Sequence, residues 1–307
     1  MARTDDDSWD ITESVGATAL GVAMARAAET ASRRPLFVDH YAQWFIDAAK
    51  ASGWRSPFAD VDRVDELPER MQTVWAYAAA RTKHFDDFFI AAGSAGIRQA
   101  VILAAGLDAR AWRLPWVANT VVYEIDQPKV LEFKSETLLA RGAKAASRDV
   151  AVGIDQRQDW PTALRAAGFD ASEPTAWLAE GLLPYLPAAG QDLLFERIQR
   201  LSAPDSRIAV EAFGSSYFDE EYQEKRRAAM QEMRDEIGRA GHQVRDVTDL
   251  FYNEPRADVA DWLADHGWEV DSIEAAELMA RHKRERATEM LENRSVFVEA
   301  RRLTGWA

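Results

Sequence analysis

Cysteine is absent from this 307-residue chain, which excludes disulfides, thiolate metal sites and a cysteine nucleophile. Histidine is scarce. His40, His84, His242, His266 and His282 form no H-E-x-x-H and no pair at ligand spacing, so no metal site is expected. The G-x-S-x-G elbow and the G-x-x-x-x-G-K-[ST] loop are missing too, which argues against hydrolase and NTPase chemistry. Positive charge is in deficit, with 37 basic against 51 acidic residues, and a net charge of −14 suits neither a nucleic-acid nor an anionic-membrane partner. No apolar run reaches the length of a membrane span, and the polar, acidic first ten residues do not read as a secretory signal. A cytoplasmic location is expected.

What the chain does contain is V-I-L-A-A-G-L-D-A-R-A-W-R-L-P-W-V-A-N-T-V-V-Y-E-I-D, residues 101–126. Residues 101–104 are apolar without alternation, as a strand buried on both faces is. Gly106 then permits a sharp turn and leaves room for a ligand against the main chain. A helical turn over 109–114 stops at Pro115, and a second apolar run, 120–125, ends on Asp126. Strand, glycine turn, helix, strand and acidic tip is how a doubly wound sheet holds a nucleoside, the carboxylate accepting from the ribose hydroxyls. A dinucleotide site would want G-x-G-x-x-G against its pyrophosphate. The chain offers A-A-G-L-D-A instead, and its Asp108 repels a pyrophosphate but suits a cation. S-adenosylmethionine, a sulfonium, fits this turn better than NAD; an α/β strand pair with no ligand reads the same way.

Beta and alpha segments alternate from 100 to 213, which predicts a parallel sheet covered on both faces. Helices are expected before it, over 14–30, from the N-cap Asp39 onward, and over 67–92, with a glycine hinge at 93–96. Arg81, among alanines in the third helix, either reaches solvent or turns inward to a carboxylate. After Phe213 the alternation lapses. A charged helix over 217–238 and a polar loop holding Leu250, Phe251 and Tyr252 suggest a lid. A helix over 258–266 and strands over 268–273 and 295–301 follow, joined by a charged connection over 276–294. The expected organisation is one domain over 1–307: a tail and helical cap (1–92), an α/β core (93–213 and 258–307) and a lid-like insertion (214–257).

Asp108, Glu124, Asp126, Asp155 and Glu180 all fall at or just past expected strand ends, where an open α/β sheet forms its ligand crevice. Asp126 is the candidate ribose acceptor. Asp155, followed by Gln156, is a candidate for the adenine amino group, though an N-cap or a solvated loop charge fits it equally well. Glu180 interrupts the apolar run W-L-A-E-G-L-L-P-Y-L, and a buried carboxylate needs a partner such as an ammonium or sulfonium. Tyr185, in the same run, either walls an acceptor pocket or packs. No residue stands out as a general base, so the catalytic residues stay unassigned.

Four segments, L-A-A-G-L-D-A-R-A-W-R-L, V-Y-E-I-D-Q-P-K-V-L-E-F-K, W-L-A-E-G-L-L-P-Y-L and R-P-L-F-V-D-H-Y-A, resemble an actinobacterial family of S-adenosylmethionine-dependent methyltransferases related to the leucine carboxyl methyltransferases. The resemblance spans about residues 14–301. It implies a class I (Rossmann-like) methyltransferase fold: a seven-stranded, mostly parallel sheet with a final antiparallel strand, an N-terminal helical cap and a helical insertion after strand 5. It further implies that Asp126 binds ribose, that Asp155 and Gln156 frame the adenine, and that Gly106 lies under the methionine part. Arg81 would bind the methionine carboxylate, and Glu180 would lie near the amino group or sulfonium. The family pattern is Asp-Leu followed by Arg, whereas this chain has Gln156 before Arg157. The implied activity is O-methylation of a carboxylate or hydroxyl on a small molecule by in-line transfer. An NAD-linked oxidoreductase and a non-catalytic nucleoside-binding protein are the alternatives.

Overall fold

The computed structural model describes residues 14–55, 67–239, 251–284 and 294–305. The tail expected over 1–12 and Leu250 lie outside the described residues. Three helices lead in: α1 (Ser14–Ala31), α2 (His40–Ala51) and α3 (Glu69–Ser94). α2 starts where its cap predicts, because Asp39 Oδ1 accepts from the backbone N–H groups of Tyr41 at 3.1 Å and Ala42 at 3.2 Å. The break expected at 93–96 comes late. α3 runs on to Ser94, and only Gly96, at φ +101°, turns the chain.

Strands and helices then alternate as β1 (Gln99–Leu103), α4 (Arg110–Arg113), β2 (Val121–Asp126), α5 (Pro128–Ala140), β3 (Arg148–Gly153), α6 (Trp160–Ala166), β4 (Thr175–Ala179), α7 (Ala188–Leu201) and β5 (Arg207–Phe213). α8 (Glu220–Arg239) interrupts the pattern, and α9 (Val259–Asp265), β6 (Trp268–Glu274), α10 (Ala275–Arg281) and β7 (Ser295–Arg302) complete it. The sheet order is β3-β2-β1-β4-β5-β7-β6, with β7 antiparallel to both neighbours and the other pairings parallel. α10 departs from the charged connection expected there. Its Ala275, Leu278 and Met279 are buried at helical spacing, and that apolar face outweighs the charges around it.

Alternate strand residues feed two cores. Ile102, Val122 and Leu178 pack under α1, α2, α3, α5 and α10, while Val101, Tyr123 and Trp177 pack under α6, α7 and α9. Arg294, one residue before β7, ties that strand to the segment leading into α8. Its Nη1 donates to Ser216 O at 2.6 Å and pairs with Asp219 at 3.0 Å. No described helix is long and apolar enough to cross a membrane.

Candidate functional site

The strand order reverses direction at β1, between β2 and β4, which is where an open α/β sheet opens a crevice at its carboxyl ends. A cavity of about 1150 Å³ lies there, walled by residues of α1, α3 and α8. Pockets for drug-sized ligands are about 300–1000 Å³, so this cavity lies just above the top of that range.

At one end the chain turns on Gly106, at φ +49°, a left-handed conformation that glycine adopts without strain. Its N–H donates to Asp126 Oδ2 at 2.6 Å, and the Gln127 N–H donates to Oδ1 at 2.6 Å. Asp126 is thereby fixed at the tip of β2, facing the cavity. Burial raises its pKa, and the two backbone donors hold the rise back. A methyl group added at Gly106 would meet Ala19 Cβ at 3.6 Å, so α1 lies directly over the turn. Asp155 is held by the chain itself: Gln127 Nε2 donates to Oδ2 at 2.6 Å, and the Arg157 N–H donates to Oδ1 at 2.8 Å. Burial works against its charge, but Arg157 and Gln127 keep its carboxyl below the usual range. Gln156 also lines the cavity, and both polar atoms of its amide are buried without a hydrogen-bond partner among the described residues.

Beneath the cavity runs a chain of alternating charge. Arg81, only 9% exposed, turns inward from mid-α3. Its Nε pairs with Glu180 at 2.9 Å, and its Nη1 donates to Glu211 Oε2 at 2.8 Å. Arg110, 2% exposed, binds Glu180 Oε2 through Nη1 at 2.7 Å, Asp86 Oδ1 through Nε at 2.8 Å, and the Asp108 carboxylate. Arg113 completes the chain with two 2.6 Å bonds to Asp86. The Tyr77 hydroxyl donates to Glu211 Oε1 at 2.5 Å, and the Gly181 N–H donates to Oε2 at 2.9 Å. Burial opposes every charge here. The neighbouring carboxylates still hold the Arg81 and Arg110 pKa values above the ordinary one, and Arg110 and Arg81 hold Glu180 below its own. Burial, then Glu211, pushes the Tyr77 phenol up.

These contacts revise the reading of three carboxylates. The partner that Glu180 needs comes from Arg81 and Arg110 as the chain stands. Asp108 lines the cavity, but its carboxylate turns back to Arg110, accepting from the backbone N–H at 2.6 Å and from the guanidinium. Glu124 is not at the crevice at all. It sits inside β2, 1% exposed, with Lys134 Nζ 2.5 Å from its Oε2, and burial pushes its carboxyl up to about 8. Glu211 and Tyr77 were not anticipated. Glu211 carries the same signal as Glu180, a carboxylate interrupting an apolar strand, I-A-V-E-A-F. Tyr77 carries none.

At the far end, under α8, Tyr185 meets Phe251 edge-on at 5.1 Å, and its hydroxyl lies 3.5 Å from Thr18 Oγ1. Tyr217 stacks on Phe213 at 3.9 Å. α8 is linked to α3 by Arg70, which pairs with Glu232 at 2.6 Å and donates to Ala229 O at 3.0 Å. Of the expected apolar cluster, Phe251 lines the cavity, whereas Tyr252 is 36% exposed and donates its N–H to Pro184 O at 2.9 Å.

A roof held mainly by surface contacts should open more readily than the sheet. Amide exchange over 220–239 is therefore expected to be faster than in β1, β2 and β4, and to slow when the cavity is filled. Equal protection with and without ligand would make α8 a fixed wall.

A sheet of this order with one antiparallel strand, and a crevice over a single-glycine turn, define a class I, Rossmann-like methyltransferase fold. The family model for leucine carboxyl methyltransferase matches residues 19–199. The chain belongs to that family. It is 56% identical, over 92% of its own length and 91% of the relative's, to a Mycolicibacterium paratuberculosis protein named "Putative S-adenosyl-L-methionine-dependent methyltransferase". A Mycobacterium avium protein of the same name is 52% identical over 98% of this chain and 99% of its own. Among solved structures, the chain is similar to magnesium protoporphyrin IX methyltransferase from Synechocystis PCC 6803 with bound SAH. Identity there is 13%, coverage is 83% of this chain and 96% of that one, and the TM-score is 0.48.

Proposed function

We propose that this chain transfers the methyl group of S-adenosylmethionine to a carboxylate oxygen of a small organic acid. The observation that carries the choice of acceptor is the state of the cavity's own acids. Among the described residues, Asp108, Asp126, Asp155, Glu180, Glu211 and Glu232 each hold an arginine or a backbone N–H, and no histidine lines the cavity. The phenol of Tyr77 is itself a donor to Glu211. A hydroxyl acceptor must lose a proton to a base, whereas a carboxylate is already ionised at neutral pH.

S-adenosylmethionine supplies, when bound, an electrophilic methyl group on a positively charged sulfur. The chain's part is alignment and exclusion of water. In this reading Asp126, with its backbone donors on one side, offers its remaining lone pairs to the ribose, and Gly106 lets the tail pass close to the main chain. Asp155 and Gln156 frame the adenine. With the Asp155 carboxylate engaged by Arg157 and Gln127, the unpartnered amide of Gln156 is the freer polar group of the two. Arg81 and Glu180 form an ion pair that a zwitterionic amino acid tail can interleave, its carboxylate toward Arg81 and its ammonium toward Glu180. Tyr185 walls the acceptor side. The NAD-linked alternative has neither the glycines nor the family.

S-adenosylhomocysteine is expected to bind and stabilise the fold. At about a hundred times its dissociation constant it should add roughly 2.7 kcal/mol of apparent stability. An unchanged melting temperature at millimolar ligand, with NAD raising it instead, sinks the reading. The acceptor atom is tested by labelled methyl transfer into a mixture of organic acids and alcohols. A carboxylate acceptor yields an ester that releases labelled methanol in mild base; a base-stable product means a hydroxyl.

A further inference from the structure

Arg26, Arg70, Arg81, Arg157 and Lys225 line the cavity, and each holds a carboxylate of the chain. Arg226 also lines it and, among the described residues, holds none. Its guanidinium lies over two aromatic rings instead, 5.3 Å from the centre of Tyr217 and 5.8 Å from that of Phe251. A guanidinium over a ring uses its flat face. Its five N–H donors lie in the plane, at the edge, and remain available for a planar anion. Among the described residues its half-buried charge meets no anion, a costly arrangement that a ligand's negative group would relieve.

The surroundings describe the rest of that ligand. Met71, Val74, Leu186, Tyr222 and Met230 line the same cavity, and Val74 is 41% exposed although it is a large apolar side chain. Apolar surface left uncovered in a concave site calls for an apolar occupant, and the two methionines adapt to its outline.

We infer that Arg226 anchors the acceptor, and that the acceptor is an acid with an apolar body whose carboxylate lies at the guanidinium edge. This rests on the methyltransferase reading above. It also gives the reaction a direction of release. A carboxylate converted to its methyl ester loses the charge that Arg226 holds, so the product is bound more weakly than the substrate.

The test uses the full chain saturated with S-adenosylhomocysteine. Decanoate, 4-phenylbutyrate and indole-3-acetate, each beside its methyl ester, are titrated by calorimetry. For at least one pair the acid should bind about tenfold to a hundredfold tighter than the ester, as a charge-assisted hydrogen bond requires. Arg226→Gln should abolish that preference by weakening the acid and leaving the ester unchanged, and Arg226→Lys should keep part of it. Both variants should retain the stabilisation by S-adenosylhomocysteine, which reports that fold and nucleoside end are intact. Acid and ester binding alike in the parent, a preference that survives in Arg226→Gln, or no binding of any of the three acids overturns the inference. Failure of the parent to bind S-adenosylhomocysteine strikes the methyltransferase reading itself.

Discussion

Replacing Arg110 by alanine is expected to destabilise the protein by about 3–5 kcal/mol, the usual cost of removing one partner from a buried ion pair. Arg110 is 2% exposed and stands between Asp86, Asp108 and Glu180. Arg113 still holds Asp86 and Arg81 still holds Glu180 in the variant, but Asp108 loses its main cation. The pH dependence follows from the direction of the shifts. In the parent, Arg110 helps hold Asp108 and Glu180 below their ordinary values despite burial. They therefore contribute stability that is present above about pH 4 and lost as pH falls through their folded-state values. In the variant burial dominates and the same carboxyls rise, so the folded state takes up protons as the pH drops. The gap in urea midpoint between parent and variant should narrow from about pH 8 to about pH 5. A gap under about 1 kcal/mol, or one that ignores pH, would mean that the three acids find other partners.

Asp126→Ala is expected to weaken S-adenosylhomocysteine binding about tenfold to a hundredfold while the protein stays folded. Two effects combine. The ribose loses a charged acceptor, and the turn loses the carboxylate that holds the N–H groups of Gly106 and Gln127 at 2.6 Å each. Asp126→Asn should be no milder. Its amide nitrogen must face one of those two backbone donors, which sets donor against donor. Calorimetric titration of both variants decides the matter. Parent-like affinity in either one means that the ribose is held elsewhere.

Much of this is legible in the sequence, and for one reason: the signals are local. A buried strand that ends on a charge announces Asp126, and an aspartate just ahead of a helix announces the Asp39 cap. Glu180 was legible as a carboxylate in apolar company. Its answer was not, because Arg81 and Arg110 lie 99 and 70 residues away and only the folded sheet brings them to it. R-A-W-R reads as a helical turn, and nothing in its spacing reveals that Arg110 is 2% exposed or that Arg113 joins it on Asp86. Glu124 misled because a carboxylate two residues from a strand's end looks like one at its tip; it shares a face with Asp126 but lies further back in the sheet, where it is buried against Lys134. α10 was hidden by the charges that flank its short apolar stripe.

The placement of β7 has a bearing on the lifetime of the whole cavity. Beyond β4, β5 finds its second partner, β7, only across the stretch from Phe213 to Ser295, which includes α8, α9, β6 and α10. Closing so long a loop is entropically slow, and until it closes the edge of β5 is bare. α8 hangs within that loop, and Arg294 pins the segment before it to the start of β7. The roof of the cavity and the seam of the sheet are thus expected to form late and to come apart together. A molecule gripped beneath α8 acts as a kinetic clamp: it leaves the rate of folding alone and slows the unzipping of the C-terminal third.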